Sequence, residues 1–243
     1  MGEAICASPF SKTYENQQYY PMSLYTFSKA DQLPVITRPA GLTIQESTDV
    51  ELLSLMGTTT VEDVTKRLAN DHLAFVAYMH KQPAAFGWMA RGKATIGELN
   101  HSFILPMRHR YLWNFRTLAD YRGQGIYPAL LQYMLQYEGK KASRFWIIHA
   151  PENGSSSKGI TKAGFQYVGK LYTNAKGLVA MEATPASKAL RHPLAYMDIQ
   201  LSSEVAASCW NCSSPYLKKR TAKCCCATTG SECTHNSVLS IAS

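Results

Sequence analysis

The sequence predicts a mixed α/β layer protein, a sheet flanked by helices, followed by an irregular cysteine-rich tail. Three observations predict it. Strand-period and helix-period segments follow one another in the order β-α-α-β-β-β-β-α-β-α-β-β. A strand, a Gly-x-Gly turn at Gly123 to Gly125 and a long amphipathic helix lie end to end in the middle of the chain. Six of the seven cysteines fall after residue 208, in a stretch without apolar periodicity.

The elements are read in order. Residues 1–40 are polar and aromatic, with Pro9, Pro21, Pro34 and Pro39, and read as an irregular N-terminal extension. Gly41 to Glu46 alternates and reads as a strand, and Asp49 to Met56 as a helix. Thr60 to Asn70 carries Val61, Val64 and Leu68 at helical spacing, with Thr59 or Thr60 as N-cap. Leu73 to Met79 and Ala84 to Met89 form a hairpin across Lys81-Gln82-Pro83. Ala94 to Phe103 and Tyr111 to Leu118 are two further strands, joined by a basic turn, Arg108-His109-Arg110. Gly125 to Tyr137 is the long helix, with Ile126, Leu130, Met134 and Tyr127, Leu131, Leu135 in one apolar stripe. A strand at Arg144 to Ile148, a helix at Ser155 to Lys162 and strands at Phe165 to Leu171 and Leu178 to Glu182 complete a body spanning 41–184. Residues 185–243 form a basic, Ser/Ala/Thr-rich tail.

Composition bounds the function. At 46% hydrophobic and 17% charged, the 243-residue chain can bury a core and is not generically disordered. It holds no apolar run long enough to span a bilayer, and Met1 to Phe10 lacks the basic and apolar regions of a secretory signal; a cytoplasmic location and no membrane partner are expected. The net charge of +8 suits anionic partners such as nucleic acid or a phosphorylated cofactor, although scattered basic residues also serve solubility alone.

The turn before the long helix carries the chemistry. A helix N-terminus presents unpaired N–H groups and partial positive charge, and so receives phosphate. Gly123 and Gly125 remove side chains that would hold a pyrophosphate off that backbone. Pro128 fits the first turn, where its missing N–H costs nothing. A lone Gly-x-Gly can equally be a tight strand-to-helix turn. A Walker A loop needs Gly-Lys-Ser/Thr and a dinucleotide fingerprint a third glycine, and neither is here.

Arg122, Gly123, Gln124, Gly125 and Ile126 match the R-G-x-G-I wording of motif A in the GCN5-related N-acetyltransferase (GNAT) family, with Tyr127 where Gly or Ala is usual. Asn153, Ser156, Lys162, Gly164 and Phe165 fall in the register of that family's motif B. Over residues 41–184 the chain therefore resembles a GNAT acyltransferase. The resemblance implies a mixed, mostly antiparallel sheet flanked by helices, and acetyl-CoA as co-substrate. It implies a pyrophosphate on Gly123 to Pro128, a pantetheine arm running beside Phe115, Arg116 and Thr117, an Asn153 contact to that arm, and direct attack of an amine on the thioester. The family's tyrosine acid, seven residues after the motif B asparagine, is replaced by Ile160; Tyr127, Tyr167, Tyr172 or water are the substitutes. For the base, Glu98 on the strand before the cofactor strand is the first candidate and His149 at the end of the fifth strand the second. Glu98 and His101, three residues apart, would point to opposite faces of that strand. Trp88, Trp113 and Trp146 read as core, with acceptor stacking as the alternative.

The tail has its own pattern. Cys209-x-x-Cys212 is a thiolate pair at zinc-knuckle spacing, and the triple cysteine offers a second pair for a tetrahedral zinc, Cys226 with Cys233 or with His235. The triple Cys224-Cys225-Cys226 and the absence of a second C-x-x-C leave a redox-sensitive tail as the competing view. Lys218-Lys219-Arg220 would suit nucleic-acid contact. The expected function is thus acyl-CoA-dependent N-acyl transfer. The alternatives are a catalytically degenerate CoA-binding or metal-tail interaction protein, and a nucleic-acid-associated protein acting through the tail.

Overall fold

A computed structural model describes residues 21–150, 153–174 and 176–203. The strands are β1 (Met22–Ser28), β2 (Leu42–Ser47), β3 (His72–Met79), β4 (Gln82–Ala90), β5 (Lys93–Ile96), β6 (His101–Ile104), β7 (His109–Thr117), β8 (Arg144–His149), β9 (Gln166–Thr173), β10 (Val179–Glu182) and β11 (Gln200–Ser202). The helices are α1 (Val50–Gly57), α2 (Val61–Ala69), α3 (Ile126–Glu138), α4 (Gly154–Lys162), α5 (Pro185–Ala189) and α6 (Arg191–Tyr196). Nine strands form one sheet in the order β11-β10-β9-β1-β8-β7-β4-β3-β2. Its pairs are antiparallel except β7 with β8 and β10 with β11. The fold class is the mixed, mostly antiparallel sheet flanked by helices that the sequence implies.

Period-2 alternation sorts side chains to the two faces. Phe75 and Ala77 of β3, Phe145 and Ile147 of β8, and Tyr25 and Phe27 of β1 pack with the apolar stripe of α3 and with Ile160 of α4. The intervening Ala74 and Val76 of β3 meet Leu53 and Met56 of α1 and Val64 of α2 on the other face. That face continues into Trp146, Leu24, the β5–β6 hairpin and α6. Local signals set the helix starts: Asp49 caps α1 through Leu52 N, Thr60 caps α2 through Asp63 N, and Thr184 with Ser187 forms a capping box on α5.

Three sequence expectations are corrected. The extension read as irregular contains β1, which lies between β8 and β9, with Tyr25 opposite Ile147 and Tyr167. Both faces of this strand are covered, so Ser23 and Thr26 are buried too, and the Thr26 hydroxyl donates to the Phe145 carbonyl at 2.9 Å. The tail read as aperiodic from Pro185 begins with two short helices and β11, paired parallel to β10. The span Ala94 to Phe103 is not one strand. A 3₁₀ turn, Gly97–Leu99, and Asn100 at φ 47° fold it into the two-stranded β5–β6 sheet, apart from the main one. Among the described residues no helix is long and apolar enough to cross a membrane.

One ion cluster ties the lower sheet to α3. Glu138, whose side chain is fully buried, accepts from Arg110 Nε at 2.8 Å and from Arg91 Nη2 at 2.9 Å. Burial pushes this carboxyl up, but hydrogen bonds and charge from Arg110 and Arg91 more than offset it and hold it below the usual range. Removing one partner of such a group strands the others. Glu138→Gln is expected to cost about 3–5 kcal/mol of unfolding free energy at neutral pH. Because the folded pKa is the lower one, the contribution of Glu138 is present above the unfolded carboxylate value. It is lost as pH falls through the folded value, so urea titrations of parent and variant should converge below about pH 4.

Candidate functional site

The site begins where β7 parts from β8. Their parallel register runs from His109 opposite Arg144 to Leu112 opposite Ile147 and stops there. Strand β7 continues to Thr117 along β4, while β8 continues to His149 along β1. From Trp113 onward the backbone edge of β7 that faced β8 is left without a strand partner, and a gap opens between them.

At the same level β7 bulges. Trp88 faces Trp113 and Phe86 faces Arg116, so Asn114 and Phe115 together stand opposite Gly87. Asn114 takes φ 51°, a left-handed conformation that Asn tolerates. Gly87 is required by the ring of Phe115: a Cβ there would lie 2.1 Å from Phe115 Cε1. Gly87→Ala should therefore displace the ring and cost about 1–3 kcal/mol of stability. Phe115→Leu in the same chain should recover part of that loss in a denaturation double-mutant cycle.

Beyond Thr117 a 3₁₀ turn, Ala119–Tyr121, leads to Arg122 and the glycine pair. Arg122 Nε donates to Thr117 O at 3.1 Å, and Gln124 Nε2 donates to Asp120 O at 3.1 Å. Gly123 and Gly125 both have φ 79°, and a Cβ on either would meet nothing within 4 Å. Gly125 is the N-cap of α3, and no side chain caps it. The first-turn N–H groups of α3 thus open onto free space. Helix α4 lies alongside, capped by Asn153, whose Oδ1 accepts from Ser156 N at 3.0 Å.

Between these elements lies a cavity of about 710 Å³, in the range of small-molecule sites. Of the residues expected to hold the cofactor, Phe115, Arg116, Thr117, Arg122, Gly123, Gly125, Ile126, Tyr127, Pro128 and Asn153 line it. Gln124 does not, and braces the loop instead. Lys158 and Lys162, one turn apart on α4, add two cations to the wall beside Arg116 and Arg122. Sequence reasoning placed Lys162 in a motif but missed both lysines as wall residues; their spacing of four on a helix capped by Asn153 was the available signal.

Tyr127, the departure from motif A, does not crowd the loop. Its ring packs edge-on to Phe115 at 5.4 Å and leans on α4, where a Cβ at Gly159 would come within 2.4 Å of it. Burial pushes its phenol well above the usual range, which makes it a poor proton donor. Ile160 is fully buried in the core. Tyr167 is pushed up to about 12, by burial first and then by Glu182 and Tyr25. Tyr172 sits buried on β9. Tyr25, not singled out in the sequence, has its hydroxyl 3.1 Å from Ser157 Oγ on α4 and its ring 5.3 Å from that of His149.

The two candidate bases are placed very differently. Glu98 is exposed on the 3₁₀ turn of the β5–β6 hairpin and is not a wall residue of the cavity; the neighbours of β7 in the sheet are β4 and β8. Its assignment as the base is not supported by this position. His101 Nε2 donates to Met197 O, 2.8 Å away. His149 ends β8 on the far side of the gap; it is not a wall residue of the cavity either, and 7% of it is exposed. Its Nδ1 lies 2.6 Å from the Ala150 carbonyl, so Nδ1 carries the proton and Nε2 is a lone pair. That Nε2 is buried and has no partner among the described residues. Burial lowers its pKa below the ordinary imidazole value, against a smaller opposing effect of the Ala150 carbonyl. Cys209, Cys212, Cys226 and Cys233, with the basic run at 218–220, lie outside the described residues. Among the described residues no group of His, Cys, Asp or Glu is arranged to hold a metal.

No family model and no curated protein sequence matches the chain. Among solved structures it is similar to a GCN5-related N-acetyltransferase from Kribbella flavida, with 16% identity, 62% of this chain and 55% of that chain covered, and a TM-score of 0.43. It is similar to a GNAT-family acetyltransferase from Colwellia psychrerythraea, with 14% identity, 61% and 53% covered and a TM-score of 0.43. A third is a predicted acetyltransferase with acetyl-CoA from Clostridium acetobutylicum, with 15% identity, 51% and 90% covered and a TM-score of 0.37. The matched part of this chain spans little more than half of the first two.

Proposed function

We propose that the chain is an N-acyltransferase that moves an acetyl or other short acyl group from a coenzyme A thioester to an amine. One observation carries the reading: the uncapped, glycine-lined N-terminus of α3 opens into a cation-walled cavity along the end of β7, beyond the point where its pairing with β8 stops. A pyrophosphate suits the free N–H groups of α3 together with Arg122, Lys158 and Lys162. The unpaired edge of β7 from Trp113 to Thr117 offers strand-like hydrogen bonds to an extended amide chain. The bulge at Asn114 and Phe115 sets where that chain meets the gap. Acetyl-CoA, when bound, supplies the thioester.

The residues then divide the work. Phe115 and Tyr127, packed on each other, form an apolar wall that keeps water from the inner end of the cavity. His149 holds a neutral Nε2 at the end of β8, able to take a proton from an attacking amine. No acid stands at the position of Ile160, and the reaction leans on positioning, since a CoA thiolate is a tolerable leaving group. The acceptor is an amine of unspecified class, and zinc has no part in the scheme. The test is a thiol-release assay with acetyl-CoA and a panel of primary amines. Amine-dependent release matched by acetylated product is expected. A folded protein that binds acetyl-CoA yet releases no thiol with any amine would overturn the transfer step.

A further inference from the structure

Seven buried side-chain nitrogen and oxygen atoms have no hydrogen-bond partner among the described residues, and three of them are N–H groups in one contact cluster: Arg67 Nη1, Trp88 Nε1 and Trp113 Nε1. The Arg67 guanidinium lies over both indoles, 5.3 Å from the ring of Trp88 and 4.9 Å from that of Trp113, and the two indoles are 6.1 Å apart. His72 closes the cluster edge-on to Trp113 at 5.5 Å. Its Nε2 donates to the Lys93 carbonyl at 3.0 Å, so His72 is not one of the unpaired donors; its buried Nδ1, also without a partner among the described residues, is an acceptor. Arg67 makes no ion pair among the described residues. Burial is the larger influence on it, and Asp63, one turn back on α2, only partly compensates.

Native proteins satisfy buried N–H groups, and a concentrated exception calls for a ligand or water. Two indole N–H groups and a guanidinium have no lone pair to offer, so their complement is an acceptor-only group. The cluster holds one positive charge, which matches a planar carboxylate better than a phosphate carrying nearly two negative charges. Its place in the fold gives the carboxylate a use. Trp113 is the first residue of β7 beyond its pairing with β8, at the mouth of the gap. It packs on the face covered by α1 and α2, the face opposite α3 and the cradle. A ligand held there would meet the gap from the side away from the cofactor cavity.

We propose that Arg67, Trp88 and Trp113 form a carboxylate-binding subsite for the acyl acceptor, so that the acceptor is a small amine that carries a carboxylate, such as a free amino acid. Its catalytic use rests on the acyl-transfer reading, but its binding does not, and the test separates the two. The indole N–H resonances of Trp88 and Trp113, assigned with Trp→Phe variants, are followed in the full chain during titration with alanine and with alaninamide, which lacks the carboxylate. Saturable shifts of both resonances with alanine, and none with the amide, are expected with or without acetyl-CoA. Arg67→Met should weaken alanine binding roughly 100-fold, and Arg67→Lys, which keeps the charge without the planar fork, should fall between. Both variants should keep the parent's affinity for acetyl-CoA, which also reports that they are folded. A parent that binds acetyl-CoA but shows no shift with alanine would overturn the subsite and leave the transferase reading standing. Equal shifts with alaninamide would overturn the carboxylate assignment. Failure to bind acetyl-CoA, with alanine shifts present, would overturn the transferase reading and leave the subsite.

Discussion

Gly125→Glu should abolish protection of the protein by acetyl-CoA. In the parent, saturating acetyl-CoA raises the melting temperature, because only the folded state binds it. Gly125 sits at φ 79° as the N-cap of α3, and the direction in which a side chain would grow is empty of protein. A glutamate there projects into the cavity and puts a carboxylate where the pyrophosphate would rest. Two like charges about 4 Å apart repel by about 4 kcal/mol at an effective dielectric of about 20, a loss of roughly 1,000-fold in affinity. The backbone adds a separate penalty of about 1–2 kcal/mol, since a residue with a Cβ is strained at positive φ. Gly125→Ala carries that strain without the charge. It should melt lower than the parent yet still be raised by acetyl-CoA. If Gly125→Glu and the parent were protected equally, the α3 N-terminus would not be the phosphate site.

His149→Ala should lower kcat by roughly 100- to 10,000-fold, the range of a lost general base. Geometry gives the reason first: Nδ1–H is committed to the Ala150 carbonyl, which leaves Nε2 as a bare, buried lone pair. The pH dependence follows from the direction of its shift. Burial disfavours the imidazolium, so the folded pKa lies below the ordinary value of about 6.5. The basic form then predominates at neutral pH, and kcat should decline only as pH falls below about 6.5. A weakly basic acceptor keeps the amine's own titration out of that window. The variant should lose the acid limb along with the rate. A kcat within a few-fold of the parent, with the limb intact, would remove His149 from the mechanism.

How much of this was legible in the sequence depended on how local the signal is. The glycine turn ahead of α3 is a contiguous run, Arg122 to Pro128, with small residues at fixed offsets before a helix, and that local geometry was readable as it stands. Helix α4 was readable for the same reason, whereas Asn153 was read as a contact to the pantetheine arm and its capping of α4 was not foreseen. Strand β1 was not. Its partners are β8 and β9, more than a hundred residues away, and Pro21 just before it mimics the start of a loop. Glu98 was misplaced because Ala94 to Phe103 has strand composition throughout, while Gly97 and Asn100 supply the conformational freedom that folds it into a hairpin. Two complementary pairs were invisible in one dimension: Gly87 with Phe115, and Gly159 with Tyr127. In each, a glycine on one element makes room for a ring on another. The cluster of Arg67, Trp88 and Trp113 belongs to the same class. Each residue alone reads as a solvated helix cation or a core indole, and only their contact reveals three unpaired N–H groups together.

The most direct test of the central claim is calorimetric titration of acetyl-CoA into the full, folded chain. Saturable binding at one site per chain, strongly weakened by Gly125→Glu, is the result expected if the α3 cradle and the β7–β8 gap hold a CoA thioester. A folded chain that gives no binding heat with acetyl-CoA across a range of temperatures would contradict it.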